Sequence, residues 1–148
     1  ITCVPPSRVV APRAGSDIRF WPGTNQHEWN LTPDHIASAS CGTRGKIGWH
    51  SEAAWLASLQ PKATLVIHNP TPAPASQCVD GGCNVEIFLC ADYVELETLG
   101  PEITLPPGGH ASHLQRWRLL EPGFAPRDWA IIAERAGCNS ASTFAHAG

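Results

Sequence analysis

The 148-residue sequence contains no methionine and only two lysines, and no apolar run approaches the length of a membrane span. A helix that crosses a bilayer needs about 18–20 consecutive apolar residues, so no membrane association is predicted. The net charge is −3. With so few lysines there is no basic stripe for a phosphate backbone, so nucleic acid is not a predicted partner.

The first residue is Ile1 rather than methionine. We therefore expect a processed chain or a segment of a longer one, with no targeting peptide left to interpret. Nothing in the residues decides the cellular location, and the expectation leans towards the periplasm or the outside of the cell.

Six cysteines make an even number that permits three disulfides in any of 15 pairings. Cys78 and Cys83 flank a Val-Asp-Gly-Gly turn, so a local bridge between them is plausible, and buried free thiols are the alternative. A zinc site is disfavoured because no Cys-x2-Cys or His-x3-His pair completes a ligand set. No metal and no other cofactor is predicted.

Many short strand patterns, separated by 14 prolines and 13 glycines, predict an all-β fold: an antiparallel sandwich or barrel. The run Arg8–Ala11 reads as an edge strand, and Gly42–Gly48 reads as a loop bearing Arg44 and Lys46. The other predicted strands are Asp17–Trp21, Ala63–His68, Val85–Cys90, Tyr93–Leu99 and His110–Leu120, with Glu102–Leu105 as a possible stub.

One short C-terminal helix is predicted after Pro122. Asp128 can cap it, and Gly137 can end it. Between them the apolar residues Trp129, Ile132, Ala133 and Ala136 fall at helical spacing. The sequence thus divides into a β-sandwich domain, 1–124, and a short helix with a loosely held tail, 125–148.

Carboxylates alternate with apolar residues in Tyr93–Leu99. Glu95 and Glu97 share one face of this strand, while Val94 and Leu96 share the other. Such a face either borders water, as one side of an antiparallel sheet commonly does, or lines a polar site. Both interpretations stay open on this pattern.

Several segments, in this order, resemble the closing strands of the galactose mutarotase-like superfamily, in a bacterial branch of unassigned function. They are Lys46-Ile47-Gly48, Ala54–Ala57, Thr64–His68, Gly82–Phe88, Tyr93–Pro101, Leu105–Gly108 and Gln115–Leu119. The resemblance covers roughly Asp17 to Leu120. It implies the C-terminal half of that family's β-supersandwich, which is about twice this length.

The resemblance implies an aldose epimerase that acts on a small-molecule sugar. In mutarotation a carboxylate takes the proton of the anomeric hydroxyl while an acid protonates the ring oxygen. The family's base lies on the strand before the Leu-x-Pro-Gly turn, which implies Glu95 or Glu97, with Glu95 slightly favoured. His68 is the candidate acid, and His50 is a second histidine that could serve. The candidate substrate-binding residues are Arg19, Lys46, Trp49, Trp55 and Glu86.

Two other classes of protein compete with the enzyme. One is a non-catalytic carbohydrate-binding or structural module that has the strands without the catalytic partners. The other is one half of a larger sandwich, which would expose strand edges and require a homodimer or a second chain to complete the sheet.

Overall fold

A computed structural model of the chain describes residues 2–3, 8–13, 16–39 and 44–138, with the backbone alone for residues 2, 3 and 39. Eleven strands lie within these residues. They are β1 (Thr2–Cys3), β2 (Arg8–Pro12), β3 (Arg19–Phe20), β4 (Asn30–Leu31), β5 (His35–Ala39), β6 (Gly45–Trp49), β7 (Trp55–Leu59), β8 (Thr64–His68), β9 (Val85–Leu89), β10 (Val94–Thr98) and β11 (Arg116–Leu120).

The helical segments are short. The longest is α2 (Trp129–Ala136), and α1 (Val79–Gly82) is a single turn in which Asp80 and Gly81 have positive φ. Three 3-10 turns cover Gln26–Glu28, Ala75–Gln77 and Pro126–Asp128. No helix in the described part of the chain is long and apolar enough to cross a membrane.

The strands form two antiparallel sheets. Sheet A has the order β1-β10-β9-β6-β3, and sheet B has the order β11-β8-β7-β2-β5-β4. The inner faces of the two sheets pack together around one buried cluster. Ile47, Ile87 and Leu96 of sheet A meet Leu56 and Ile67 of sheet B there. The antiparallel sandwich predicted from the sequence is confirmed.

Helix α2 covers the other face of sheet B and forms a third layer. Its buried residues Ile132 and Ala136 pack against Trp55, Ala57 and Val66 of sheet B in a second apolar cluster. Every residue of β7 is buried for this reason, since apolar neighbours cover both of its faces. The predicted helix is confirmed, with Gly137 at its C-terminus in the left-handed conformation at φ 67°.

Four local predictions need correction. Strand β2 lies between β7 and β5 and is not an edge strand. The predicted loop Gly42–Gly48 is wrong where β6 begins at Gly45. Strand β11 begins at Arg116 rather than His110, and Glu102–Leu105 is not a strand. Strands β1, β4 and β5 were not predicted. The tail, 139–148, lies outside the described residues.

Candidate functional site

The outer face of sheet A, which points away from sheet B, carries a group of charged side chains. Alternation along β10 directs Glu95 and Glu97 to this face and Val94 and Leu96 into the core, as predicted. Glu86 of β9 pairs directly with Glu97, and Gly48 of β6 pairs with Glu86 on the other side. The cross-strand registers therefore bring residues that are far apart in the sequence onto one surface.

Lys46, Glu86 and Glu97 form an ion cluster on this face. Lys46 Nζ lies 2.6 Å from Glu86 Oε2, and it donates to Glu97 Oε2 at 3.1 Å and to Oε1 at 3.3 Å. About a quarter of the Lys46 and Glu97 side chains is exposed, but only 2% of the Glu86 side chain is. One ammonium group is thus shared by two carboxylates, and one of these is almost completely removed from water.

Burial sets the protonation behaviour of this cluster. Burial raises the pKa of Glu86, although the hydrogen bond and charge of Lys46 act in the opposite direction. For Lys46, burial favours the neutral amine, but the two carboxylates together outweigh burial and raise its pKa. Lys46 therefore stays charged at neutral pH. Within the cluster, Glu86 is the residue that releases its proton at a higher pH than an ordinary carboxyl group does.

Glu86 also has an unsatisfied oxygen. Its Oε1 atom is buried and has no hydrogen-bond partner among the described residues. A buried acceptor without a donor costs about 1–3 kcal/mol, and more when the group is charged. Burying Glu86 in this way therefore lowers the stability of the fold. Functional carboxylates commonly lie in such unfavourable surroundings.

Gly48 makes room for this arrangement. A Cβ at residue 48 would lie 2.9 Å from Glu86 Cγ, 3.0 Å from Cys83 Sγ and 3.2 Å from the Trp21 ring. These three side chains therefore converge above the glycine. We do not expect Cys83 to act as a thiolate nucleophile, because burial, with the Glu86 charge adding to it, raises the pKa of its thiol to about 11.

Trp21 supplies an aromatic surface beside the cluster. The Arg19 guanidinium lies 4.8 Å from the centre of the Trp21 ring, and Lys46 Nζ lies 5.3 Å from it. Both distances are within the range of cation–π attraction. The indole is half-buried, so part of the ring remains open to solvent.

A surface groove of about 470 Å³ adjoins the ion cluster. Arg19 and Cys83 lie on the boundary between the two, and Asp17, His50 and Asp80 supply further polar groups to the groove. His50 directly follows the end of β6 and lines the groove together with Arg19, which lies on the outer face of sheet A. Its Nε2 atom lies 3.2 Å from the carbonyl oxygen of Ala73. A carbonyl can only accept, so Nε2 carries the hydrogen.

The structure brings together five of the residues predicted for the site. Arg19, Lys46, Glu86, Glu95 and Glu97 all lie on the outer face of sheet A. Glu95 pairs with Phe88 in the next strand and lies two residues from the ion cluster along β10.

The three other predicted residues lie elsewhere. Trp49 is 1% exposed in the core between the sheets, where its Nε1 donates to Pro12 O at 3.0 Å. Trp55 is 1% exposed beneath α2. His68 pairs with Trp55 on the α2 side of sheet B, across the whole sandwich from Glu95 and Glu97. Burial, together with the charge of Arg116, lowers the pKa of His68.

Trp21, Gly48 and the groove were not part of the predicted site, and His50 was only a secondary candidate. One sequence signal could have indicated the positions of Gly48 and His50. Lys46, Gly48 and His50 alternate along one face of a strand, but the loop prediction for Gly42–Gly48 hid this period.

For the cysteines whose side chains are described, the structure shows the free-thiol alternative. Cys78, Cys83, Cys90 and Cys138 are free thiols, whereas the side chains of Cys3 and Cys41 lie outside the described residues. The bridge between Cys78 and Cys83 is not formed, and each sulfur lies close to a different backbone carbonyl. Cys83 Sγ approaches Asp80 O at 3.2 Å, and Cys78 Sγ approaches Pro74 O at 3.5 Å. Across residues 8–13, 16–38 and 44–138, no three His, Cys, Asp or Glu residues form a group that could hold a metal ion.

Comparisons with protein-family models, with curated proteins and with solved structures find no match to this chain.

Proposed function

We propose that this domain binds an aldose sugar on the outer face of sheet A, where the ion cluster adjoins the groove. The observation that carries the proposal is Glu86, a carboxylate with 1% exposure and an unpaired buried oxygen. Apolar side chains of similar volume would commonly stabilise the fold as well as a buried ion pair does. A functional requirement accounts for a charged residue at this position.

The surrounding groups have the chemistry that sugar recognition requires. Carboxylates, a guanidinium group and an imidazole can bond hydroxyl groups that act as both donors and acceptors. The Trp21 indole beside these groups is half-buried, and its exposed part can contact the C–H groups of a pyranose. Asp17 and Asp80 outnumber Arg19 in the groove, and this charge favours a neutral ligand over an anion.

Interconversion of the sugar's anomers is the reaction we propose for this site. The observation that favours it is a carboxylate, Glu97, and an imidazole, His50, on the same side of sheet A. Glu97 takes the proton of the anomeric hydroxyl, and His50 gives a proton to the ring oxygen. The bond between the anomeric carbon and the ring oxygen breaks, which leaves the open-chain aldehyde. Ring closure on the other face reverses both proton transfers.

Lys46 and Glu86 act in this proposal as positioning residues. Lys46 holds the Glu97 carboxylate by two hydrogen bonds, and Glu86 anchors Lys46 from the buried side. Catalytic groups act best when neighbouring contacts fix their geometry on a rigid element, which strand β10 supplies.

Anomer exchange measured by NMR tests the proposal. The protein is expected to accelerate α/β exchange of at least one common aldose, and Glu97→Gln to lower that acceleration by about 100-fold, the range for losing a general base. His50→Asn and Glu95→Gln separate the two remaining proton-transfer candidates. Glu134→Gln, an exposed residue of α2, is the matched control and is expected to retain full activity.

Saturation-transfer NMR on the same samples distinguishes binding from catalysis. Binding without acceleration would overturn the epimerase reaction and leave the carbohydrate-binding module. Absence of both across a panel of aldoses would overturn the proposed function.

A further inference from the structure

Exposed apolar side chains are concentrated in one segment of the chain. Five of the seven large hydrophobic residues that are exposed in the described part lie between residues 103 and 119. They are Ile103 (52% exposed), Leu105 (49%), Leu114 (56%), Trp117 (60%) and Leu119 (75%). An exposed apolar surface of this extent is typical of an interaction site.

Residues 100–115 form an arm that projects from the sandwich. Every residue from 101 to 114 is exposed. The arm reverses at a turn where Gly109 N donates to Pro106 O at 2.8 Å and Gly108 has φ 78°. Its base is fixed, since Glu102 N donates to Gln77 O at 2.7 Å and Thr98 Oγ1 lies 2.9 Å from His113 Nε2. The arm is thus anchored at the sheet and presented to solvent.

Strand β11 directly follows the arm and lies at the end of sheet B. One of its edges pairs with β8, and the other has no partner strand among the described residues. Trp117 and Leu119 pair with Ile67 and Leu65, so they lie on the side of sheet B that faces sheet A. Their exposure means that sheet A does not extend over β11. An open edge and an uncovered apolar face therefore coincide.

We propose that this surface is the interface of a homodimer, in which two β11 edges pair antiparallel about a two-fold axis and each arm crosses onto the other copy. A two-fold interface brings the same patch of each copy together, so Trp117 and Leu119 of one chain meet the same apolar surface on the other. Pairing would also satisfy the open backbone groups of β11.

The size and the charges of this surface support a second copy of the chain as the molecule that covers it. Eighteen of the nineteen residues from 101 to 119 are exposed, close to the about 20–30 residues per partner of a stable interface. Glu102 on the arm and Arg116 and Arg118 on β11 have no salt bridge within the described residues. Each copy thus offers both signs of charge, and a two-fold axis can place the acidic arm of one against the basic strand of the other.

Sedimentation equilibrium of the full chain tests the dimer. The expected mass is twice 15.9 kDa. Leu119→Arg is expected to raise the dissociation constant at least about tenfold, because it places a charge on the interface. Its circular dichroism spectrum should match that of the unchanged protein, since 75% of the Leu119 side chain is exposed. Ile131→Arg, at the equally apolar and 48% exposed Ile131 of α2, is the matched control and should remain dimeric.

A charge exchange gives an independent readout. Glu102→Arg should weaken the dimer, and adding Arg116→Glu and Arg118→Glu should restore it. A mass of 15.9 kDa at all concentrations would overturn the proposal. A dimer that Leu119→Arg leaves intact, or that Ile131→Arg dissociates, would also overturn it by locating the interface elsewhere. The surface consists of the arm and β11 and contains no residue of the proposed sugar site, so its failure would leave that site unaffected.

Discussion

Glu86 combines two properties that rarely occur together on the outer face of a sheet. Its side chain is almost completely buried, and its charge is balanced by a single ammonium group that Glu97 also uses. Removing one partner of a buried ion pair leaves the other charge without compensation, whereas replacing both partners is often nearly neutral. Paired substitutions can therefore separate the folding role of the cluster from its role at the site.

Lys46→Met is expected to lower the free energy of unfolding by about 2–3 kcal/mol, because it leaves Glu86 buried beside Glu97 without a cation. Lys62, the other lysine of the chain, is exposed in the turn before β8. Lys62→Met is therefore the matched control, with an expected change within about 0.5 kcal/mol. Urea unfolding monitored by circular dichroism measures both values.

The double variant Lys46→Met, Glu86→Met is expected to be more stable than Lys46→Met alone, since it removes the unpaired charge as well. A double variant less stable than the single one would show that the buried carboxylate is not the source of the loss.

The pH dependence of stability follows from the raised pKa of Glu86. Between the ordinary carboxyl pKa of 4.5 and the raised value, the unfolded chain has released this proton and the folded chain still holds it. The folded state binds more protons in this window, so the Glu86 contribution to the free energy of unfolding falls as pH rises. Above the raised pKa the Glu86 contribution to the free energy of unfolding is lost completely, and below pH 4.5 it is fully present.

Urea unfolding of the wild-type protein and of Glu86→Gln across a pH series measures this contribution. The difference in unfolding free energy between the two proteins isolates residue 86 from the other carboxylates. We expect the difference, wild type minus variant, to decrease as pH rises through the window. A difference that increases with pH would contradict the raised pKa.

At the scale of the elements, β6 matters most because it brings Lys46, Gly48 and His50 to one face. Gly48→Ala introduces a methyl group within 3.0 Å of both Glu86 Cγ and Cys83 Sγ. We expect a destabilisation of about 1–3 kcal/mol from this overpacking, measured by thermal or urea unfolding. Adding Cys83→Ala removes one of the contacting atoms and should recover part of the loss. Equal stability of Gly48→Ala and wild type would show that the three side chains do not converge as described.

Local pattern was enough to predict some elements and not others. Strand β10 alternates strictly between apolar residues and carboxylates, so both its position and its faces were predictable. Strand β6 contains two glycines and follows closely after Gly42, so turn propensity outweighed its short apolar alternation. Strand β5 consists largely of small residues, and its burial becomes evident only from its neighbours β2 and β4.

At the scale of the whole molecule, the layer order determines which face can hold a site. Apart from β11, sheet B is covered by sheet A on one side, and α2 packs on its other side, while the outer face of sheet A has no such layer in the described chain. This order places Trp55 and His68 under α2 and leaves Glu86 and Glu97 near the groove. The alternation of apolar and polar residues along a strand shows which residues share a face. It does not show which sheet the strand joins. The outward-facing carboxylates were therefore predictable, whereas the sheet on which each candidate histidine lies was not.

The indole N–H signals of the tryptophans provide the most direct test of the proposed sugar site. In a two-dimensional ¹H–¹⁵N NMR titration with the aldose that binds, the Trp21 signal is expected to shift and saturate. Trp49 and Trp55, each 1% exposed, and Trp117 at the far edge of sheet B are expected to stay unchanged. If the sugar saturates the protein while Trp21 stays unmoved, or if Trp117 shifts instead, the outer face of sheet A is not the binding site.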